Sequence, residues 1–124
     1  MSNQRPVNLD LGSLKYPPMA IASILHRISG VVLFLLLPLM LYFLSLSLQT
    51  AASFEQLQVT LASVYCKLLL WAFSAALIYH ILAGIRHVLM DVGLGEQLST
   101  ARRSAMTVII LAVISTIGLG IWIC

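Results

Sequence analysis

One histidine, His80, stands inside the uncharged run Leu68–Ile85 and opens the pattern HxxxGxRHxxxD, which closes at Asp91. An imidazole held within hydrocarbon is costly to keep there, so it calls for a partner or a task. The tasks that suit its chemistry are ligation of a metal or haem iron and the handling of protons. His80, Gly84, His87 and Asp91 recur at offsets of four, seven and eleven. On a helix that spacing gathers them into one stripe about 60° wide. Gly84 lacks a side chain one turn from His80, which leaves room for a flat ligand or a neighbouring helix.

Geometry limits what this stripe does alone. Two residues seven apart on a helix are separated by about 10 Å along the axis, so His80 and His87 cannot clamp one iron between them. A second axial ligand has to come from another helix or another chain. His26 is the only other histidine, and it falls at the start of the first apolar run. The plainer reading of His80 is a ring that hydrogen-bonds a neighbouring helix and nothing more. His87 lies beyond Arg86, at the expected membrane interface, where a polar ring is unremarkable; its place on the stripe is also compatible with a cofactor's carboxylates. Asp91 reads as an interfacial group available to a basic partner. Arg86 is turned about 120° from His80 and reads as an interface marker.

A second constellation is SILHRISG, with Ser23, His26, Arg27 and Gly30. On a helix, Ser23, Arg27 and Gly30 share an arc of about 60°, with His26 at its border. An arginine one turn from a serine hydroxyl presents hydrogen-bond donors to a carbonyl or carboxylate, as a quinone head group or a haem propionate offers. The plainer reading is an arginine that snorkels at the helix end, with a serine on the same face.

The elements that must position these groups follow from hydropathy. Of 124 residues, 60% are hydrophobic and 9% charged, with a mean hydropathy of +1.02. A soluble domain of this length cannot hide so much apolar surface, so the chain reads as all-α and integral to the membrane. Three runs are long enough to span: Ile28–Leu48, interrupted by Pro38; Leu68–Ile85; and Ala105–Cys124. The first, at helical rise, is roughly 31 Å long. A proline inside a membrane helix is tolerated as a kink. The expected organisation is a single membrane-anchor domain over 1–124, with an N-terminal segment at 1–18 and spans at about 22–48, 64–90 and 104–124. Three helices make a thin bundle, so membership of a larger heteromeric bundle is expected.

Charge sets the expected orientation. Arg5, Lys15 and Arg27 precede the first span, and Arg86, Arg102 and Arg103 flank the second loop. By the positive-inside rule the N-terminus and second loop are cytoplasmic and the C-terminus is outside. Both polar constellations then lie toward the cytoplasmic side, which makes a shared site plausible. Trp71 and Trp122 read as belt residues near the outer side. The net charge of +3 comes from loop topology and forms no basic face for nucleic acid. Cys66 and Cys124 suggest neither a disulfide framework nor a metal-ligand spacing. The polar, proline-containing N-terminus lacks the apolar core of a signal peptide.

RPVNLDL at Arg5–Leu11, SILHRISG at Ser23–Gly30 and HxxxGxRHxxxD at His80–Asp91 together resemble the cytochrome b membrane-anchor subunit of succinate dehydrogenase, in its proteobacterial form. The similarity runs over nearly the whole chain, and the last two motifs are specific in order and spacing. The resemblance implies a four-subunit complex II in the bacterial inner membrane. A flavoprotein would oxidise succinate, an iron–sulfur subunit would relay electrons, and two small membrane subunits would form the quinone site. It implies that His80 is an axial ligand of haem b, with the other axial histidine supplied by the partner anchor. Ser23 and Arg27 would serve the ubiquinone site, and His26, Arg27 and His87 would lie near the haem propionates. No complete active site is implied in this chain alone.

Two other classes fit parts of the pattern. In a purely structural anchor, His80 and Arg27 would only pack and pair. In a small proton-coupled transporter subunit, His80 and Asp91 would act as relay groups. A transporter would be expected to carry ionisable groups through the full membrane thickness, and the outer half of the spans has none.

Overall fold

A computed structural model describes residues 17–124. The RPVNLDL motif and the basic residues Arg5 and Lys15 lie outside the described residues. The described chain folds as four helices, α1 (Pro18–Gln49), α2 (Ala51–Leu61), α3 (Val64–Asp91) and α4 (Leu98–Ile123). Three of them, α1, α3 and α4, are long and apolar enough to cross a membrane. The all-α membrane architecture expected from hydropathy is therefore what the chain adopts.

Local sequence explains each boundary. Pro18 opens α1, where the missing N–H costs nothing because the first turn has no intrahelical acceptor. The helix starts well before the uncharged run at Ile28, so Ser23, His26 and Arg27 stand on the same rigid rod as the membrane span. It also runs through Pro38 without a break. Thr50 separates α1 from α2 with a reciprocal cap: its hydroxyl accepts from Ser53 N at 3.0 Å, and Ser53 Oγ accepts from Thr50 N at 3.1 Å. Ser63 caps α3 by accepting from Cys66 N at 3.3 Å. The α3 helix unwinds at Gly93 (φ +91°) and Gly95 (φ +70°), a left-handed backbone that suits glycine.

The helix α2 lies between the first two spans, where hydropathy predicts no membrane-crossing element. Leu57 is its buried residue, facing α1 near Tyr42, Phe43 and Leu46. The element is short and polar enough to escape a search for spans. The Thr50–Ser53 cap and the Leu57–Leu61 spacing are the signals that reveal it.

Packing among the long helices relies on small side chains. The core joins Tyr79 and Ala83 of α3 to Val108 and Ala112 of α4. Ala22, Ala101 and Ala105 are also buried. Alanine lets membrane helices approach closely, and dispersion between close backbones takes the place of a hydrophobic drive that lipid cannot supply. Most large apolar side chains point outward, including Phe34, Leu35 and Ile121. Such a surface is suited to lipid or to other membrane helices.

Polar ties cross the bundle. Tyr79 Oη donates to Ala22 O at 2.6 Å, linking α3 to the first turns of α1. Arg86 Nε donates to Ser104 Oγ at 2.9 Å and its Nη2 to Ala101 O at 3.1 Å, linking α3 to α4. Trp71 Nε1 donates to Thr116 O at 2.8 Å at the other end of the same helix pair.

Two expectations change here. Arg86 is not merely an interface marker, because its guanidinium is spent on α4. Trp71 is a packing residue as much as a belt residue, since a Cβ at Gly120 would come within 2.9 Å of its indole nitrogen. Trp122 is 82% exposed, as a lipid-facing residue would be.

Candidate functional site

The three histidines converge. His26 of α1 inserts between the two turns of α3 that carry His80 and His87. Its ring stacks on His80 with centroids 4.2 Å apart and planes 11° apart. It stands 6.4 Å from the His87 ring, again at 11°. The helical spacing of seven that separates His80 from His87 leaves the gap that His26 occupies.

A glycine borders each of the two stacked rings, one tightly and one at ordinary contact. A Cβ at Gly30 of α1 would meet His80 Cε1 at 3.2 Å, tighter than ordinary contact. A Cβ at Gly84 of α3 would meet His26 Nε2 at 3.6 Å. Each helix thus supplies a histidine and a glycine that lies beside the other helix's histidine. The gap at Gly84, expected to admit a flat ligand or a helix, is bordered within the chain by the His26 imidazole.

His80 is half-buried and hydrogen-bonded through one ring nitrogen. Ser29 Oγ lies 3.0 Å from its Nδ1, and the same hydroxyl donates to His26 O at 2.7 Å. Ser29 is buried, at 6% exposure. Ser29 was not among the residues that the sequence motifs single out, whereas Ser23 was. Its place beside Gly30, three residues after His26, was the available signal, but only the α1–α3 packing reveals which residue faces His80.

Ser23, His26 and Arg27 line a cavity of about 260 Å³ with Ala22, Ala83, Arg86 and His87. Ser23 and Arg27 are exposed and four residues apart on one face of α1. Tyr79 holds the neighbouring carbonyl of Ala22, so the α1 turn carrying them is anchored against α3. The cavity is small beside the roughly 300–1,000 Å³ usual for ligand sites.

His87 is exposed, and its Nε2 lies 3.9 Å from Asp91 Oδ2. With side chains about two-thirds or more in solvent, that pair is a weak interfacial contact. It supplies the basic partner expected for Asp91, one turn away on the same helix. Among the described residues, no three His, Cys, Asp or Glu side chains converge as a self-contained metal site.

Three membrane-length apolar helices with a histidine-centred polar cluster define a small integral membrane protein. Residues 1–119 match the family described as succinate dehydrogenase/fumarate reductase transmembrane subunit, and the chain belongs to that family. It is 47% identical over 124 residues to the succinate dehydrogenase cytochrome b556 subunit of Coxiella burnetii, covering 99% of each chain. The protein of the same name from Rickettsia bellii is 33% identical over 121 residues, covering 96% of this chain and 93% of that one. That of Paracoccus denitrificans is 31% identical over 117 residues, covering 91% and 90%. The family expected from the sequence motifs is thus the family found.

Proposed function

We propose that this chain is the haem b-binding membrane anchor of a succinate:quinone oxidoreductase, with His80 as one axial ligand of the iron. The observation that carries this reading is the setting of His80. It is half-buried in an apolar helix, and its hydrogen bond is made through Nδ1, so Nε2 remains as the coordinating nitrogen. The stack with His26 covers a ring face, whereas a metal bond forms in the ring plane, so the two do not compete. The relatives' name, cytochrome b556 subunit, agrees with this chemistry.

The residues present fit a haem of which this chain holds one side. When bound, the haem supplies a one-electron carrier near the quinone site. Around it, Arg27, His26 and His87 are the polar groups available to propionates. The other axial histidine belongs to a second anchor subunit, as the family resemblance implies; the spacing along α3 excludes His87 from that place.

Ser23 and Arg27 act on the quinone. The serine hydroxyl donates to a quinone carbonyl, and the guanidinium favours the more anionic, reduced oxygen. Binding is thereby coupled to electron arrival, because these donors favour the oxygen on which charge builds. The electrons come from an iron–sulfur subunit fed by a flavoprotein that oxidises succinate. The complex lies in the bacterial inner membrane, with the N-terminus and the site toward the cytoplasm and the C-terminus in the periplasm.

The test is the reduced-minus-oxidised absorption spectrum of the purified complex, compared between the parent and His80→Ala. Loss or displacement of the b-type bands in the variant supports ligation by His80.

A further inference from the structure

We propose that Ser29 is a positioning residue that fixes the tautomer of His80, holding the proton on Nδ1 and leaving the Nε2 lone pair for iron. This rests on the reading of His80 as a haem ligand and adds the group that prepares it.

The inference follows from counting hydrogens. A serine hydroxyl has one hydrogen and can accept through its lone pairs. Ser29 Oγ is 2.7 Å from the His26 carbonyl oxygen. A carbonyl only accepts, so two oxygens at that distance need a hydrogen between them, and only the hydroxyl has one to give. The hydroxyl is then left solely as an acceptor toward His80 Nδ1, 3.0 Å away. The contact therefore reads Nδ1–H to Oγ. A neutral imidazole carries one N–H, so Nε2 bears the lone pair.

Burial makes this choice firm. Ser29 is 6% exposed, so water does not readily replace either partner. The ring is also restrained by the His26 stack and by the close backbone at Gly30. Ser29 and Gly30 thus form one seat, with the hydroxyl selecting the nitrogen and the missing side chain admitting the ring. An acceptor on the distal N–H of a ligating histidine fixes its orientation and strengthens its donation to the metal. Stronger donation stabilises ferric over ferrous iron, so removing the acceptor should raise the midpoint potential.

The test uses the intact purified complex carrying Ser29→Ala, Ser29→Thr or His80→Ala. It reads haem-to-protein ratio, the low-temperature electron paramagnetic resonance g values of the ferric haem, and its midpoint potential. Ser29→Ala is expected to retain haem, raise the potential and shift the largest g value. Ser29→Thr, which keeps a hydroxyl, is expected to return both toward the parent. Parent-like potential and g values in Ser29→Ala would overturn the proposal. So would haem loss in Ser29→Ala that Ser29→Thr does not restore, since the seat would then be packing alone. Parent-like haem in His80→Ala would remove the ligand itself, a failure recognisable without reference to the Ser29 variants.

Discussion

The imidazole of His26 lies face to face with that of His80, 4.2 Å between centroids and 11° between planes. One ring comes from the first span and the other from the second, so the stack joins the two polar motifs that the sequence shows separately. It also sets the side chains beside it: Ser29 under Nδ1 of His80, Arg27 and Ser23 along the exposed face of α1, and His87 one step further along α3.

The glycines beside these rings predict an asymmetry. A methyl at Gly30 would meet His80 at 3.2 Å, whereas one at Gly84 would meet His26 at an ordinary 3.6 Å. Gly30→Ala is expected to displace His80 and alter the reduced haem bands or lower haem content. Gly84→Ala is expected to leave both near the parent. Optical spectra and haem content of the two purified complexes check this, and equal effects would contradict it.

On the proposed function, Arg27 and Ser23 serve the quinone and not the oxidation of succinate. Arg27→Ala is therefore expected to lower succinate–quinone reductase activity by tenfold or more, on the order of 1.4 kcal/mol of lost stabilisation. Succinate oxidation with a soluble dye should persist. Parallel loss of both activities would point to failed assembly.

Hydrogen bonds between helices set part of the bundle's stability. Tyr79→Phe removes the bond to Ala22 O, a carbonyl of an intact helix, so a cost of about 1 kcal/mol is expected. Arg86→Ala removes two charge-assisted bonds to α4 and should cost more, about 1.5–3 kcal/mol. Thermal unfolding of the detergent-solubilised complex ranks the two. The reverse order would contradict the role given to Arg86.

Much of this was legible in the sequence because hydropathy and charge act on long segments. Three spans, the stripe from His80 to Asp91 and the serine–arginine pair on α1 follow from composition and helical period. What escaped depends on how helices meet. Arg86, turned away from His80, reads as an interface residue until α4 brings Ser104 to it. Ser29 looks like an ordinary helix serine until α3 places His80 against it. The helix α2 escaped because a search for apolar length passes over a short, polar segment held by its cap and Leu57.

Orientation can be checked through the exposed thiol of Cys124. With the C-terminus outside, a membrane-impermeant maleimide should label Cys124 in intact spheroplasts. Labelling that requires lysis would reverse the topology. Cys66 is half-buried, so its replacement by Ala provides a clean background.

The most direct measurement is the absorption spectrum of the purified complex, with and without dithionite, for the parent and for His80→Ala. Ligation by His80 predicts b-type bands in the reduced parent that are lost or displaced in the variant, with the remaining subunits still assembled. Unchanged bands in an assembled His80→Ala complex would contradict it.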